Sequence, residues 1–178
     1  MAEPTAPASD RDAGLAAFTQ ARDRYQDAYR VVPDEALRYV PHGEDYTLGG
    51  LVVHVTDVIE HYARTLEQMI AAGFGQVRVV DPEEGRAERE ALIREGYGGA
   101  ERARVFAEMG TAHDALAAKV RALSAADYTR KAPVLYGADA TEPYPTSAAD
   151  ILGWLTDHYR EHTTQAAELL ETWKSSRM

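Results

Sequence analysis

Apolar residues recur at spacings of three and four along most of the chain, and the strict alternation that marks a strand is nearly absent. The first such stretch runs from about Asp12 to Val32, where Leu15, Phe18, Ala21, Tyr25, Ala28 and Val32 share one helical face. Pro33 ends it, because proline disfavours helical backbone in the residue before it. A second helix is expected from a cap at Thr47 to about Ala72, with Leu48, Leu51, Val55, Val58, Tyr62, Leu66 and Met69 as its stripe and Gly73 as its stop. The third runs from about Ala100 to Leu123, its inner face marked by Val105 or Phe106, Met109, His113, Leu116, Val120 and Leu123. The fourth begins at Ser147, where Ser147-Ala-Ala-Asp150 has the form of a capping box, and reaches about Lys174. Ile151, Leu155, His158, His162, Ala166, Leu169 and Trp173 line it.

Four amphipathic helices of this length predict an all-α fold, a four-helix bundle spanning residues 12–174 as one domain. The connections are uneven. Residues 73–99 form a long insert with a short extra helix expected around Glu84 to Glu95, where Arg86, Arg89 and Arg94 lie among acidic residues as ion pairs on a solvated face. The segment from Ala132 to Pro145 holds Pro133, Pro143, Tyr136 and Tyr144, which suggests a crossover connection or a loop covering a site. Ser-Ala-Ala-Asp occurs at 124 as well as at 147, and both copies read as local cap chemistry.

Residues 1–11, rich in Pro and Ala, are expected to be a disordered tail without the basic start and apolar run of a secretion signal. No stretch approaches the roughly 18 uncharged apolar residues of a membrane span, so a cytoplasmic protein is expected. The absence of cysteine removes disulfides, thiolate nucleophiles and Cys-based metal sites together. A formal net charge of −10, from 29 acidic and 19 basic residues, disfavours nucleic acid, and no run of Lys and Arg offsets it.

Any metal must then be held by His, Asp or Glu. His158 and His162 are four residues apart, so their imidazoles project from one helix face about a turn apart, on a stripe where Leu or Ile would be expected. Burying both without partners would be costly, and a shared ion would satisfy one nitrogen of each ring. His54, at the border of the second helix's stripe, is the candidate third ligand. Three imidazoles leave a coordination position for water or substrate. His61 lies about 10 Å further along the same helix, too far to share that ion, and His113 is a reserve candidate. Glu161 and Asp57 are candidate proton-transfer groups.

The Thr47-Leu-Gly-Gly-Leu-Val-Val-His54 opening of the second helix resembles the first metal-ligand segment of the DinB/YfiT-like family. Ser147-Ala-Ala-Asp-Ile-Leu-Gly-Trp-Leu-Thr-Asp-His158-Tyr-Arg-Glu-His162-Thr-Thr-Gln165 resembles the second, with its His-x3-His followed by Gln. The resemblance implies a four-helix bundle with an unusual connection order, a divalent ion such as zinc or nickel, and a homodimer. It also implies a metal-dependent hydrolase, or a transferase or isomerase acting with a low-molecular-weight thiol, on a small-molecule substrate.

Other chemistries fit less well. His158-Tyr-Arg-Glu161-His162 matches the H-x-x-E-H metallopeptidase pattern, but that class needs an acidic ligand well downstream, and little chain follows. A di-iron bundle needs Glu three residues before its histidines, where Leu51 and Leu155 stand instead. Beside the enzyme stand two alternatives: a non-catalytic metal- or ligand-binding bundle of a stress response, and a metal-free bundle whose histidines bond to carboxylates.

Overall fold

The computed structural model describes residues 9–177; of the expected tail, residues 1–8 lie outside the described residues. The Ser9 hydroxyl accepts the Asp12 amide at 3.2 Å and starts helix α1 (Asp10–Tyr29). This helix stops short of Val32, and the chain passes Pro33 into a single 3-10 turn at Asp34–Ala36. Val32 is buried all the same, so the apolar face outlasts the helix.

Helix α2 (Gly50–Ala71) enters through a close backbone contact. The Thr47 hydroxyl accepts the Gly50 amide at 2.9 Å and donates to the Ile93 carbonyl at 3.1 Å. A Cβ on Gly50 would lie 1.9 Å from that same carbonyl, so only glycine admits the approach. At the other end Gly73 adopts a φ of 58°. Its amide bonds to the Ile70 carbonyl at 3.0 Å and that of Phe74 to Met69 at 2.8 Å, the paired closure that a left-handed residue permits.

Helix α3 (Arg86–Glu95) is the expected extra helix and buries no residue of its own. Arg86 and Arg94 pair locally with Glu83 and Glu90, whereas Arg89 reaches across to Asp57 on α2 at 2.9 Å. Helices α4 (Gly99–Arg121), α5 (Ala125–Thr129) and α6 (Ala148–Ser175) follow. Both Ser-Ala-Ala-Asp segments act as caps: the Ser124 hydroxyl accepts the Asp127 amide at 3.1 Å, and that of Ser147 accepts the Asp150 amide at 3.2 Å.

The long helices form a ring in which α1 packs chiefly on α6 and α2 chiefly on α4, with α2–α6 and α1–α4 contacts closing it. Hence α1 and α2, though consecutive among the long helices, face each other across a diagonal, as do α4 and α6. The long connections make this crossover order possible.

Those connections also hold what the periodicity missed, a small sheet of β1 (Val77–Val79), β2 (Ala132–Tyr136) and β3 (Tyr144–Thr146). In it β1 runs parallel to β2, with Val77 opposite Val134, and β3 runs antiparallel to β2, with Tyr144 opposite that same valine. Arg78 fixes the β2–β3 turn by donating to the carbonyls of Gly137, Ala138 and Ala140 at 2.7–3.0 Å.

Large aromatic side chains fill the core, with Phe18, Tyr25, Tyr29, Tyr97 and Tyr159 almost wholly buried. Burying such a ring contributes about 1.5–3 kcal/mol, provided a polar tip finds a partner. The Tyr29 hydroxyl finds one in the Leu48 carbonyl at 2.6 Å. Among the described residues no helix is long and apolar enough to cross a membrane.

Candidate metal centre

Helices α2 and α6 pass each other in opposite directions. His54 faces His158 and His162, while Tyr62, two turns further along α2, meets Trp154, one turn back along α6. The ring centroids of His54 lie 5.0 Å from those of both partners, and His158 and His162 are 4.3 Å apart. One nitrogen from each ring falls within 4.8 Å of the others. Local structure produces this convergence: the Gly50 contact with α3 sets where α2 begins, one turn before His54, and the Ser147–Asp150 capping box sets the start of α6.

The hydrogen bonding leaves nitrogen lone pairs free. His162 Nδ1 lies 2.7 Å from Gln165 Oε1, which can only accept, so Nδ1 carries the proton and Nε2 carries the lone pair. His158 Nε2 is buried with no hydrogen-bond partner among the described residues. Such an orphan costs about 1–3 kcal/mol. Burial, reinforced by the neighbouring imidazoles, pushes the His158 pKa down to about 3. Burial, with the nearby His162 imidazole, outweighs the pull of Asp57 and brings His54 to about 4. Both rings are therefore neutral at pH 7, the form that ligates. Closely spaced neutral imidazoles, one with an orphaned nitrogen, are a donor set that fits a divalent ion.

The surroundings are asymmetric. The Tyr46 ring flanks the cluster, 4.7 Å from His54 and 6.3 Å from His162. An open cleft of about 520 Å³, lined by Glu44, Glu161, Thr164, Gln165 and Glu168, adjoins it through Gln165. A comparably large groove between α2 and α4, with Ala63, Ala107 and Ala112 in its lining, contains none of the three histidines.

The other candidates fall elsewhere. Asp57 is half-buried and paired with Arg89, and Glu161 is exposed on the rim of the acidic cleft. Asp157 pairs with Arg160 at the surface, and His42 is exposed. His113 stands apart from the cluster, stacked on Phe18 at 3.9 Å and bonded through Nδ1 to the Tyr159 hydroxyl at 3.3 Å. His61 is bound to Asp81 at 2.7 Å. Sequence reasoning noted Gln165 as part of a motif but not as the residue that orients His162, and it missed Tyr46 and Asp81. An i, i+3 spacing from His162 was the signal for Gln165.

The sequence profile of the DinB superfamily matches residues 17–166. The chain belongs to that superfamily. YfiT from Bacillus subtilis, described as a probable metal-dependent hydrolase with an unusual four-helix bundle topology, superposes with a TM-score of 0.71. The two are 15% identical, with 97% of this chain and 94% of YfiT covered. A Streptococcus pneumoniae protein superposes with a TM-score of 0.64 at 10% identity, with 95% of this chain and 92% of that one covered. No curated protein matches the sequence. The superposition over nearly the whole of both chains shows that the fold is shared with the YfiT four-helix bundle.

Proposed function

We propose that His54, His158 and His162 hold a divalent ion and that the protein is a metal-dependent hydrolase, or a transferase using an exogenous low-molecular-weight thiol, acting on a small molecule. The observation that carries the reading is the orphaned Nε2 of His158 inside a group of three converging imidazoles, two of which burial keeps neutral. The description of YfiT as a probable metal-dependent hydrolase supports it. A three-imidazole donor set accepts several first-row ions; zinc or nickel is the proposed occupant.

The ion would supply a Lewis acid that makes an exogenous water or thiol nucleophilic near neutral pH. The protein's own part is positional. Gln165 fixes the tautomer and plane of His162, burial keeps His54 and His158 unprotonated, and Tyr46 shields one side of the cluster. With no cysteine, the chain cannot provide the thiolate itself. A homodimer located in the cytoplasm completes the reading, and sedimentation velocity tests its assembly.

Metal content by mass spectrometry on untagged protein, with His54→Ala and His158→Ala, is the test. One ion per chain, lost in both variants, is expected and justifies screening ester, amide and thiol-transfer substrates. Failure to take up zinc or nickel in folded wild-type protein would overturn the reading.

A further inference from the structure

A second polar group lies on the same face of α2. Seven residues separate His54 from His61, which places His61 on the same helix face about 10 Å further along the axis. The His61 ring donates through Nδ1–H to Asp81 at 2.7 Å, and Arg64 Nη2 donates to the same carboxylate oxygen at 2.7 Å. Asp81 belongs to the connection between β1 and α3, so two residues from two segments, Asp81 and behind it Arg64, hold the imidazole in place. The guanidinium on the carboxylate makes this grouping unsuited to a cation. With Nδ1 engaged, Nε2 is the ring nitrogen left to meet a ligand. Among the described residues that nitrogen makes no hydrogen bond, and the side chain is 23% exposed.

Between His61 and the triad runs a strip of half-buried aromatic rings. Tyr136 lies 5.8 Å from His61 and 6.4 Å from Tyr62. Tyr62 lies 5.6 Å from Trp154, which precedes His158 by one turn, and the ring of the exposed Tyr144 lies 6.0 Å from that of Trp154. Rings so placed, with one oriented acceptor at the far end and three imidazoles at the near end, form a surface for a flat molecule with polar groups at both ends.

We infer that His61, oriented by Asp81 and Arg64, is a ligand-binding group of the same site, whose Nε2 accepts a hydrogen bond from the hydroxyl or amine of an aromatic small molecule lying along Tyr62 and Trp154 with its other end at the triad. This assignment rests on the metal reading above and names its substrate class.

The test uses zinc-loaded protein and titration calorimetry with three hydroxamates that ligate zinc through the same end: acetohydroxamate, 4-phenylbenzohydroxamate and 4-(4-hydroxyphenyl)benzohydroxamate. The rigid biphenyl sets the phenol about as far from the hydroxamate as His61 lies from His54. Wild-type protein is expected to bind the biaryl probes more tightly than acetohydroxamate and to prefer the phenol-bearing one by about fivefold, the worth of one hydrogen bond. His61→Phe, which keeps a ring in place, abolishes the phenol preference and leaves acetohydroxamate affinity unchanged. Trp154→Ala removes the advantage of both biaryls. Equal affinity of the two biaryls for wild-type protein, or a preference that survives in His61→Phe, would overturn this inference while zinc binding stands. Failure to load zinc at all would overturn the metal reading, and this inference with it.

Discussion

His162 donates its Nδ1 proton to Gln165 Oε1 over 2.7 Å, one turn further along α6. That bond selects the ring nitrogen left to face His54 and His158. Groups that orient metal-binding imidazoles typically contribute 10–100-fold in affinity. Gln165→Leu is therefore expected to weaken zinc binding by roughly that factor without unfolding the protein, measured by competition with a chromogenic chelator. Unchanged affinity would mean that the tautomer is set by something else.

Metal should also appear as stability. An ion bound only by the folded state, at about 100 times its dissociation constant, adds about 2.7 kcal/mol. For a chain of this size that raises the melting temperature by roughly 5–10 °C. Calorimetric scans with excess zinc and with chelator should differ by this amount in wild-type protein, and not in His158→Ala.

His113 predicts a pH dependence away from the triad. Burial, with the nearby Arg22 charge, pushes its pKa down to about 4, against a smaller opposing pull from Asp114 and Asp23. Its other packed titratable neighbour is Tyr159, whose hydroxyl bonds to it. A depressed histidine favours the neutral folded form. Its contribution is complete above the unfolded value near 6.5 and is lost as pH falls toward 4, by at most about 1.4 kcal/mol per pH unit. Urea unfolding with chelator present should show a smaller loss between pH 7 and pH 5 in His113→Phe than in wild type. Parallel losses would show that His113 titrates normally.

Two glycines make opposite predictions. Alanine at Gly50 would push its Cβ to 1.9 Å from the Ile93 carbonyl, whereas a Cβ on Gly110, inside α4, meets nothing within 4 Å. Gly50→Ala is expected to lose about 1–3 kcal/mol and, because His54 is one turn away, to weaken zinc binding as well. Gly110→Ala should gain about 0.5–1 kcal/mol from helix propensity alone. Chemical denaturation of the pair separates the crowded site from the open one.

How far the sequence could be read depended on which forces act locally. The four long helices were legible because burial on one face imposes the spacing of three and four, and even His158 and His162 stood out as polar residues on an apolar stripe. The sheet was not. Its strands are only three to five residues long, and Pro133 and Pro145 argue against a strand by type, so only the pairing of distant connections defines them. The end of α1 was misjudged because Val32 stays buried in the turn that follows the helix. Within the site, the spacing of His158 and His162 is helix geometry and could be read directly. The bond of His61 to Asp81 could not, since Asp81 comes from a connection whose path is set by the sheet. Asp57 and Glu161 were named by position on their helices; the first is engaged by Arg89 from α3, and the second faces the open cleft that adjoins the triad through Gln165.

The ring order has a consequence for the chain as it is made. Helix α6 is synthesised after all the others, yet it is the principal neighbour of α1 and brings two of the three clustered histidines to α2. A nascent chain that has extruded α1 through α5 therefore holds an open seam where α6 will lie, with His54 alone along it. Closing the seam and assembling the histidines are one event, so a polypeptide interrupted before α6 would expose its unfinished interior to cellular quality control while holding only one of the three imidazoles of the cluster.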